Sequence, residues 1–394
     1  MWLTVLRRPG SAFARRPLLL ATVTAVASIS PLFLVGAQAV QIGSELGLSP
    51  ASLGRAVALF FGLTALSSAT LGRAVQHWGA RRSLVATMVG STIALVSAAL
   101  SQSVVHLALS MAVGGLANGA VHPSTNLLLV SNGDAPLGTS LGVKQAAPTV
   151  ASLFAGLAVP VVALTVGWRW SFVTAAVVSL FLVYAVRMAP APAGHETAGL
   201  SGRRATSIDG RLLLVVAVVS GCGGAAGNSL GTFLVDYGVR AVGLAEAAAG
   251  LAFALASVAG FTGRVAAGWL MDHTSRPGPL PLAGGLLLAG AVGHVLIGTG
   301  APAGYVVGSL VAYGLGWAWP SLLHYAVVVG SPGGAARATG VLMTGFATGA
   351  CLGPLVLGQL AHGLGYAAIW LVAAGSSALA GAALCVALRL RRSP

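Results

Sequence analysis

Charge is the first thing this sequence is short of. Of its 394 residues, 7% are Asp, Glu, Lys or Arg, against roughly a quarter in an average soluble protein. So few charged side chains cannot clothe a body of this size in a water-facing surface, which excludes a soluble enzyme, a nucleic-acid-binding protein and a disordered chain. Acids are the scarcest, with seven Asp and Glu against 21 Lys and Arg. Lysine occurs once, as Lys144, and every other basic residue is an arginine. The three cysteines, Cys222, Cys351 and Cys385, lie in apolar segments without ligand-like spacing, so neither a disulfide framework nor a metal centre is expected. A Walker loop, paired carboxylates and a Ser/His/Asp grouping are all missing, so the sequence reads as neither ATP-driven nor enzymatic, and no cofactor is expected.

Apolar residues make up 56% of the chain, with 55 glycines and a mean hydropathy of +0.90. The apolar runs are continuous and do not alternate at period two, which favours spanning helices over a transmembrane barrel. Abundant glycine suits close helix packing in lipid, where small residues let backbones approach. Breaks at charged and turn-rich stretches define twelve spans, at residues 17–41, 51–71, 83–101, 105–130, 139–165, 168–188, 212–237, 245–270, 280–299, 303–329, 338–363 and 366–388. The first run is long and lacks a small-residue cleavage site, so it reads as a span and not as a cleaved signal. Arginines gather in the tails and even-to-odd connections: Arg7, Arg8, Arg15, Arg16, Arg73, Arg81, Arg82, Arg187, Arg203, Arg204, Arg211, Arg276, Arg337, Arg389, Arg391 and Arg392. Only Arg55, Arg169 and Arg240 fall on the other side. The positive-inside rule then expects both termini in the cytoplasm of a cell with a bacterial-type inner membrane.

The longest polar break, rich in Pro, Gly and Ser, divides the chain. The expected organisation is a tail (1–16), a six-helix bundle (17–189), a flexible linker (190–211), a second six-helix bundle (212–388) and a tail (389–394). The halves repeat in register about 197 residues apart. Leu46-Gly47-Leu48 with Gly54 recurs as Val242-Gly243-Leu244 with Gly250; Gly72 meets Gly268, Pro123-Ser124 meets Pro320-Ser321, Gly142 meets Gly340, and Gly167-Trp168 meets Gly365-Tyr366.

A parallel six-plus-six repeat resembles the build of major facilitator transporters. Gly72-Arg73-Ala74-Val75-Gln76-His77-Trp78-Gly79-Ala80-Arg81-Arg82 is similar to that family's signature loop between spans two and three, Gly-x-Leu-Ala-Asp-Arg-x-Gly-Arg-Arg. The glycines and the closing basic pair match, but Gln76 stands where the family has an acid. In the second half the acid survives as Asp272, four residues after Gly268. The resemblance implies an all-α integral membrane protein of twelve helices in two pseudo-symmetric bundles, with a midplane cavity opened alternately to each side. It assigns gating roles to Gly72, Gln76, Gly79, Arg81, Arg82, Gly268 and Asp272.

Ionisable groups inside a membrane are expensive and carry function by default. No acid falls at a span centre; Asp236 lies near the far end of span seven. Two cations do lie within spans: Arg264, about 12 Å up span eight from its inner end, and Lys144, about 8 Å into span five. Span four aligns Asn118, His122, Thr125 and Asn126 on one face; span ten presents Trp317, Ser321, His324 and Tyr325, and span seven Asn228, Thr232 and Asp236. His294 in span nine is expected to face a neighbouring helix. The candidate substrate contacts are Arg264, Lys144, His122, Asn126, Asn118, Asn228, Trp317, Ser321, His324 and Tyr325. Gly263-Arg264-Val265-Ala266-Ala267-Gly268 resembles the arginine region of monocarboxylate and oxalate-type carriers, and Gly142-Val143-Lys144-Gln145-Ala146-Ala147-Pro148 a stretch of cyanate-type carriers. The expected activity is secondary transport of a small organic anion, a carboxylate, by a monomer coupled to protons or a counter-anion. The competing expectation is proton-coupled efflux of lipophilic drugs or a secondary metabolite through a cavity lined by Trp317, Trp319, Tyr325 and Phe346. A receptor without transport is a third reading, motivated by Gln76 alone.

Overall fold

A computed structural model describes residues 11–130, 136–189, 209–274, 277–331 and 335–390. Most of the expected linker and the outermost tails lie outside the described residues. Among the described residues, twelve helices are long and apolar enough to span a membrane: Pro17–Ala37, Pro50–Ser68, Thr70–Ala99, Val104–Thr125, Leu137–Ala163, Trp168–Met188, Gly210–Arg240, Glu246–His273, Pro279–Gly298, Pro302–Gly330, Arg337–Ala361 and Ala367–Leu390. They are called spans one to twelve below. The fold is all-α, two six-helix bundles related by pseudo-symmetry.

Two expected boundaries change. Span one stops at Ala37; the chain breaks at Gln38 and re-forms a short helix, Ala39–Leu46. The stretch read as a loop between spans two and three is helical, and the helix deviates only at Gly79 (φ 78°, ψ 161°). That conformation is strained for any residue with a Cβ, so the helical path redirects at one glycine, inside span three as bounded above, with no loop.

The repeat is visible in backbone and chemistry together. Gly47 and Gly243 are both left-handed (φ 73° and 79°), as are Gly167 and Gly365 (φ 102° and 85°). Just after the second pair, an aromatic side chain staples the end of each bundle remote from the termini. Trp168 Nε1 donates to Glu45 at 2.7 Å, and the Tyr366 hydroxyl donates to Asp236. Arg169 also binds Glu45 at 2.5 Å; its hydrogen bond, followed by that of Trp168, holds the Glu45 carboxyl below the usual carboxylate range.

The halves meet along two pseudo-equivalent seams, spans two with eleven and spans five with eight. Gly54 lies so close to span eleven that a Cβ would come 2.2 Å from the Pro354 carbonyl oxygen; at Gly250 it would come 2.9 Å from that of Gly156. The five–eight seam runs the whole length. Ser152 and Ser257 hydroxyls pair at 2.8 Å, and nearer the termini Gly138 and Gly268 are in backbone contact. There Asp272 accepts from the Gly138 amide (2.8 Å) and from the Thr139 amide and hydroxyl (both 2.6 Å). A carboxylate of the second half thus caps a helix of the first, favoured by the unpaired amides and the dipole there. Along the two–eleven seam, Cys351 Sγ donates to the Ala58 carbonyl at 3.4 Å, and Phe61 meets Phe346 edge-on with centroids 6.4 Å apart. Nearer the termini, Ala65 and Leu66 of span two and Gly340 and Thr344 of span eleven are exposed. Gln76, the pseudo-equivalent of Asp272, is exposed and makes no hydrogen bond among the described residues.

Two predictions follow from these seams and contacts. Gly263→Val should lower the melting temperature sharply, because a Cβ there would lie 1.8 Å from the Gly314 carbonyl oxygen, whereas Gly375→Ala, with open space at its Cβ, should not. Asp272→Ala should lose about 1–2 kcal/mol of capping and melt a few degrees early, with Asp272→Asn between the two; both comparisons need only thermal unfolding of purified protein.

Candidate functional site

Two spans are broken near the centre by proline. In span five the first helical segment ends at Gln145 and a new one starts at Ala147-Pro148. In span ten a π turn over Ala312–Gly316 precedes a helix restarting at Trp319-Pro320. Proline has no amide hydrogen and crowds the preceding turn, so each break leaves carbonyl groups in need of a donor where no bulk water supplies one.

Arg264 of span eight serves both breaks. Its Nε donates to the Trp317 carbonyl at 2.7 Å and its Nη1 to the Gln145 carbonyl at 2.6 Å. The guanidinium also lies over the Trp317 ring, 4.2 Å from its centroid, a cation–π arrangement strengthened by desolvation. Arg264 is 1% exposed, so it does not reach for the membrane surface. Among the described residues it has no ion pair, and its Nη2 edge carries no hydrogen bond. The bond to Gln145 crosses from the second half of the chain to the first.

Around this clamp the structure gathers several expected residues. The amide nitrogen of Gln145 lies 2.7 Å from Nδ1 and 3.2 Å from Nε2 of His324, and the Pro320 carbonyl is 2.8 Å from Nδ1. Lys144 is 7% exposed; like Arg264, it is held inside and not extended to the surface. Lys144 and His324 are the titratable neighbours of His122. Spans four, five, eight and ten therefore bring His122, Lys144, Arg264, His324 and Trp317 into one region. The described acids, Glu45, Asp209, Asp236, Glu246 and Asp272, all sit at or near helix ends.

Other expected contacts are placed elsewhere. Asn118 is buried inside the first bundle, accepting from Ser28 at 2.9 Å and donating to Thr64 at 3.3 Å, so its amide ties spans one, two and four. Asn228 is buried and donates to Gly224 of its own helix at 2.8 Å. Thr125 bonds its own helix through the Val121 carbonyl. The Asn126 side chain lies outside the described residues. Tyr325 is half-buried and reaches the Met271 carbonyl at 3.4 Å. Ser321 is 1% exposed with no partner for its hydroxyl. His294 does face neighbouring helices, contacting the Ala226 carbonyl of span seven at 3.2 Å and stacking toward Trp370. The signature residues Arg73, Arg81 and Arg82 are exposed on the helical stretch around Gly79, and Gly72 has open space around it.

Trp317 also corrects the picture of an open aromatic lining, because it is almost wholly enclosed. The glycine stripe of span seven receives three aromatics in a row. Trp319 fills the space over Gly223, Trp317 that over Gly227, and Phe33 of span one that over Gly231. Phe33 and Trp317 lie 6.3 Å apart across the two halves. Trp319 continues to Phe346 at 6.3 Å. The indole N–H groups of Trp317 and Trp319 have no acceptor among the described residues.

The candidate list lacked Gln145, Phe33 and Gln38. Gln145 stands three residues before Pro148 and next to the lone lysine, a legible signal. Phe33 is one apolar residue among many in span one, with nothing in sequence to mark it. Gln38 is wholly buried at the span-one break with both amide atoms unpartnered; a glutamine ending a long apolar run was the available sign.

Known proteins bear on this arrangement in three ways. The sequence profile of the Major Facilitator Superfamily matches residues 18–335. No curated protein sequence matches the chain. Among solved structures, the fold is similar to that of the human organic anion transporter MFSD10 (TETRAN), with TM-score 0.65 and 18% identity over 96% of this chain and 100% of that one. It is similar also to a mutant of the nucleoside transporter NupG, with TM-score 0.71 and 17% identity over 95% and 99%. A bacterial homolog of the human lysosomal transporter Spinster, captured inward-facing and occupied, gives TM-score 0.69 and 16% identity over 97% and 98%. Identities this low carry the shared fold and leave the ligand to be argued from the site. Twelve spans in two repeated bundles, with half-to-half seams at spans two–eleven and five–eight, accord with the profile match: the chain is a multi-pass membrane protein belonging to the Major Facilitator Superfamily, a secondary transporter.

Proposed function

We propose that this transporter moves a small organic anion, a carboxylate, by alternating access. The observation that carries the reading is the sign of the interior. Lys144 and Arg264 are buried between the halves with His122 and His324 nearby, while the described acids stay at helix ends. A buried cation carries a solvation penalty of several kcal/mol. An anion entering this region offsets part of that penalty while shedding its own water, so it binds the closed arrangement better than the open one. Such differential affinity is what moves a two-state equilibrium. The uncommitted Nη2 edge of Arg264 and the ammonium of Lys144 would receive the carboxylate, with His122 and His324 orienting it. Trp317 would act as the wall behind Arg264.

The seams suit alternation. Contact along the whole five–eight seam, with exposed residues at the terminal end of spans two and eleven, supports a state open toward the termini. The arginine distribution supports that side as the cytoplasm, with the protein in an inner (plasma) membrane. The two bundles that would rock against each other are residues 17–189 and 212–388, the limits read from the sequence. Among the described residues no acid is at hand to carry a proton, so coupling would fall to His122, His324 or the substrate itself, or be replaced by counter-anion exchange; a monomer is sufficient for all of these. The second reading, efflux of a lipophilic compound, is favoured by the Trp319–Phe346–Phe61 row bordering the two–eleven seam.

Benzoate and the uncharged aromatic analogue benzyl alcohol separate the two readings. Benzoate at about 100 times its dissociation constant should stabilise detergent-purified protein by about 2.7 kcal/mol, and Lys144→Gln and Arg264→Gln should each abolish the shift. Equal shifts from both compounds in all three proteins would reject the anion site. Trp319→Ala should leave the benzoate shift intact under the anion reading and abolish the benzyl alcohol shift under the efflux reading.

A further inference from the structure

Gln145 has no part in the substrate-contact reading, yet it touches both ionisable groups that the second half contributes to the site. Its main-chain carbonyl accepts from Arg264 Nη1 at 2.6 Å. Its amide meets the ring of His324 at 2.7 and 3.2 Å. It stands at the break of span five, the last residue of its helical segment, so the carbonyl is turned to an outside donor while the side chain points to span ten. Arg264 in turn holds the Trp317 carbonyl, and His324 the Pro320 carbonyl. One residue of the first half is thereby bonded to the two elements, spans eight and ten, that carry the second half's cationic and titratable groups.

We propose that Gln145 is the positioning residue of this site, holding Arg264 through its backbone and His324 through its amide across the seam between the halves. The side-chain type fits that task. An imidazole presents a donor and an acceptor when neutral and two donors when protonated. An amide offers both an N–H and a C=O on one rotatable group, so it keeps its contact with His324 in either state. A carboxylate there would favour the protonated ring alone. The titratable groups near His324 from the packed elements are His122 of span four and Lys144 of span five, with Arg264 of span eight held by the Gln145 carbonyl. All are cations or become so, and a neutral partner avoids competing with an incoming anion for them. The last arm of the test rests on the anion-transport reading; the first two do not.

The full chain in detergent is melted from pH 5.5 to 8.5 as wild type, Gln145→Glu, His324→Asn and the double variant. Every substitution preserves the carbonyl to Arg264. A glutamate beside His324 pairs with the ring only in its protonated form, so the added stabilisation is present at low pH and lost as pH rises. The expected result is a melting temperature for Gln145→Glu that climbs several degrees relative to wild type between pH 8.5 and 5.5. The climb should be clearly smaller in the double variant, where only the new carboxylate's own titration remains. The same climb with and without His324 would overturn the proposal. Should Gln145→Glu not fold, Gln145→Leu and His324→Leu are combined at pH 7.5: non-additive melting shifts support the contact, additive ones overturn it. In proteoliposomes, Gln145→Leu should raise the KM for benzoate at least fivefold with maximal rate within twofold, and Gln145→Asn should recover part of it. An unchanged KM would overturn the positioning role. Failure of the wild type to move benzoate would count against the transport reading, and the two melting arms, which need no ligand, then decide for or against Gln145.

Discussion

A single guanidinium holds the centre of this protein together. Arg264 is placed where two proline-broken helices expose carbonyls inside the membrane, and it donates to both while stacking on Trp317. Lysine could not do this, since its ammonium has neither the fork geometry nor the planar face. The breaks are needed because unwound backbone is what brings polar groups to membrane depth, and the arginine makes the breaks tolerable. Spans five, eight and ten, and with them both halves, are therefore tied at one residue.

The two seams differ in chemistry although they share a design. At spans five and eight, serines, apposed glycines and the Asp272 cap join the halves from one end to the other. At spans two and eleven, contact is glycine against backbone and ring against ring, and the pseudo-equivalent of the cap is Gln76, which bonds nothing described. A neutral amide lacks the charge that makes an N-terminal cap strong. The asymmetry that the sequence shows as one missing acid becomes, in three dimensions, one capped seam and one uncapped seam.

Most of the fold was legible because its determinants are local. Span number followed from run length, and the repeat from glycines whose left-handed backbone, as at Gly47 and Gly243 or Gly167 and Gly365, tolerates little else. The failures were also local: a turn made by Gly79 alone looks in sequence like a loop, and the break at Gln38 looks like continuous helix. The site was legible in part. Lys144, Arg264, His122 and His324 stood out because charge in a span is rare. Asn118 and Asn228 were chosen as polar residues within a span, yet their amides serve helix packing, since which face of a helix meets which neighbour is decided by tertiary contacts. Trp317 was singled out as lining, whereas the small residues of span seven let it sink out of reach.

The central claim is that an interior holding cations and lacking acids selects an anion. Counterflow in proteoliposomes tests it most directly. Vesicles loaded with unlabelled benzoate and diluted into a trace of labelled benzoate should accumulate label transiently. Vesicles loaded with benzyl alcohol should not, and Lys144→Gln should abolish the overshoot. Label accumulation that is indifferent to the internal compound, or to the loss of Lys144, would contradict the account.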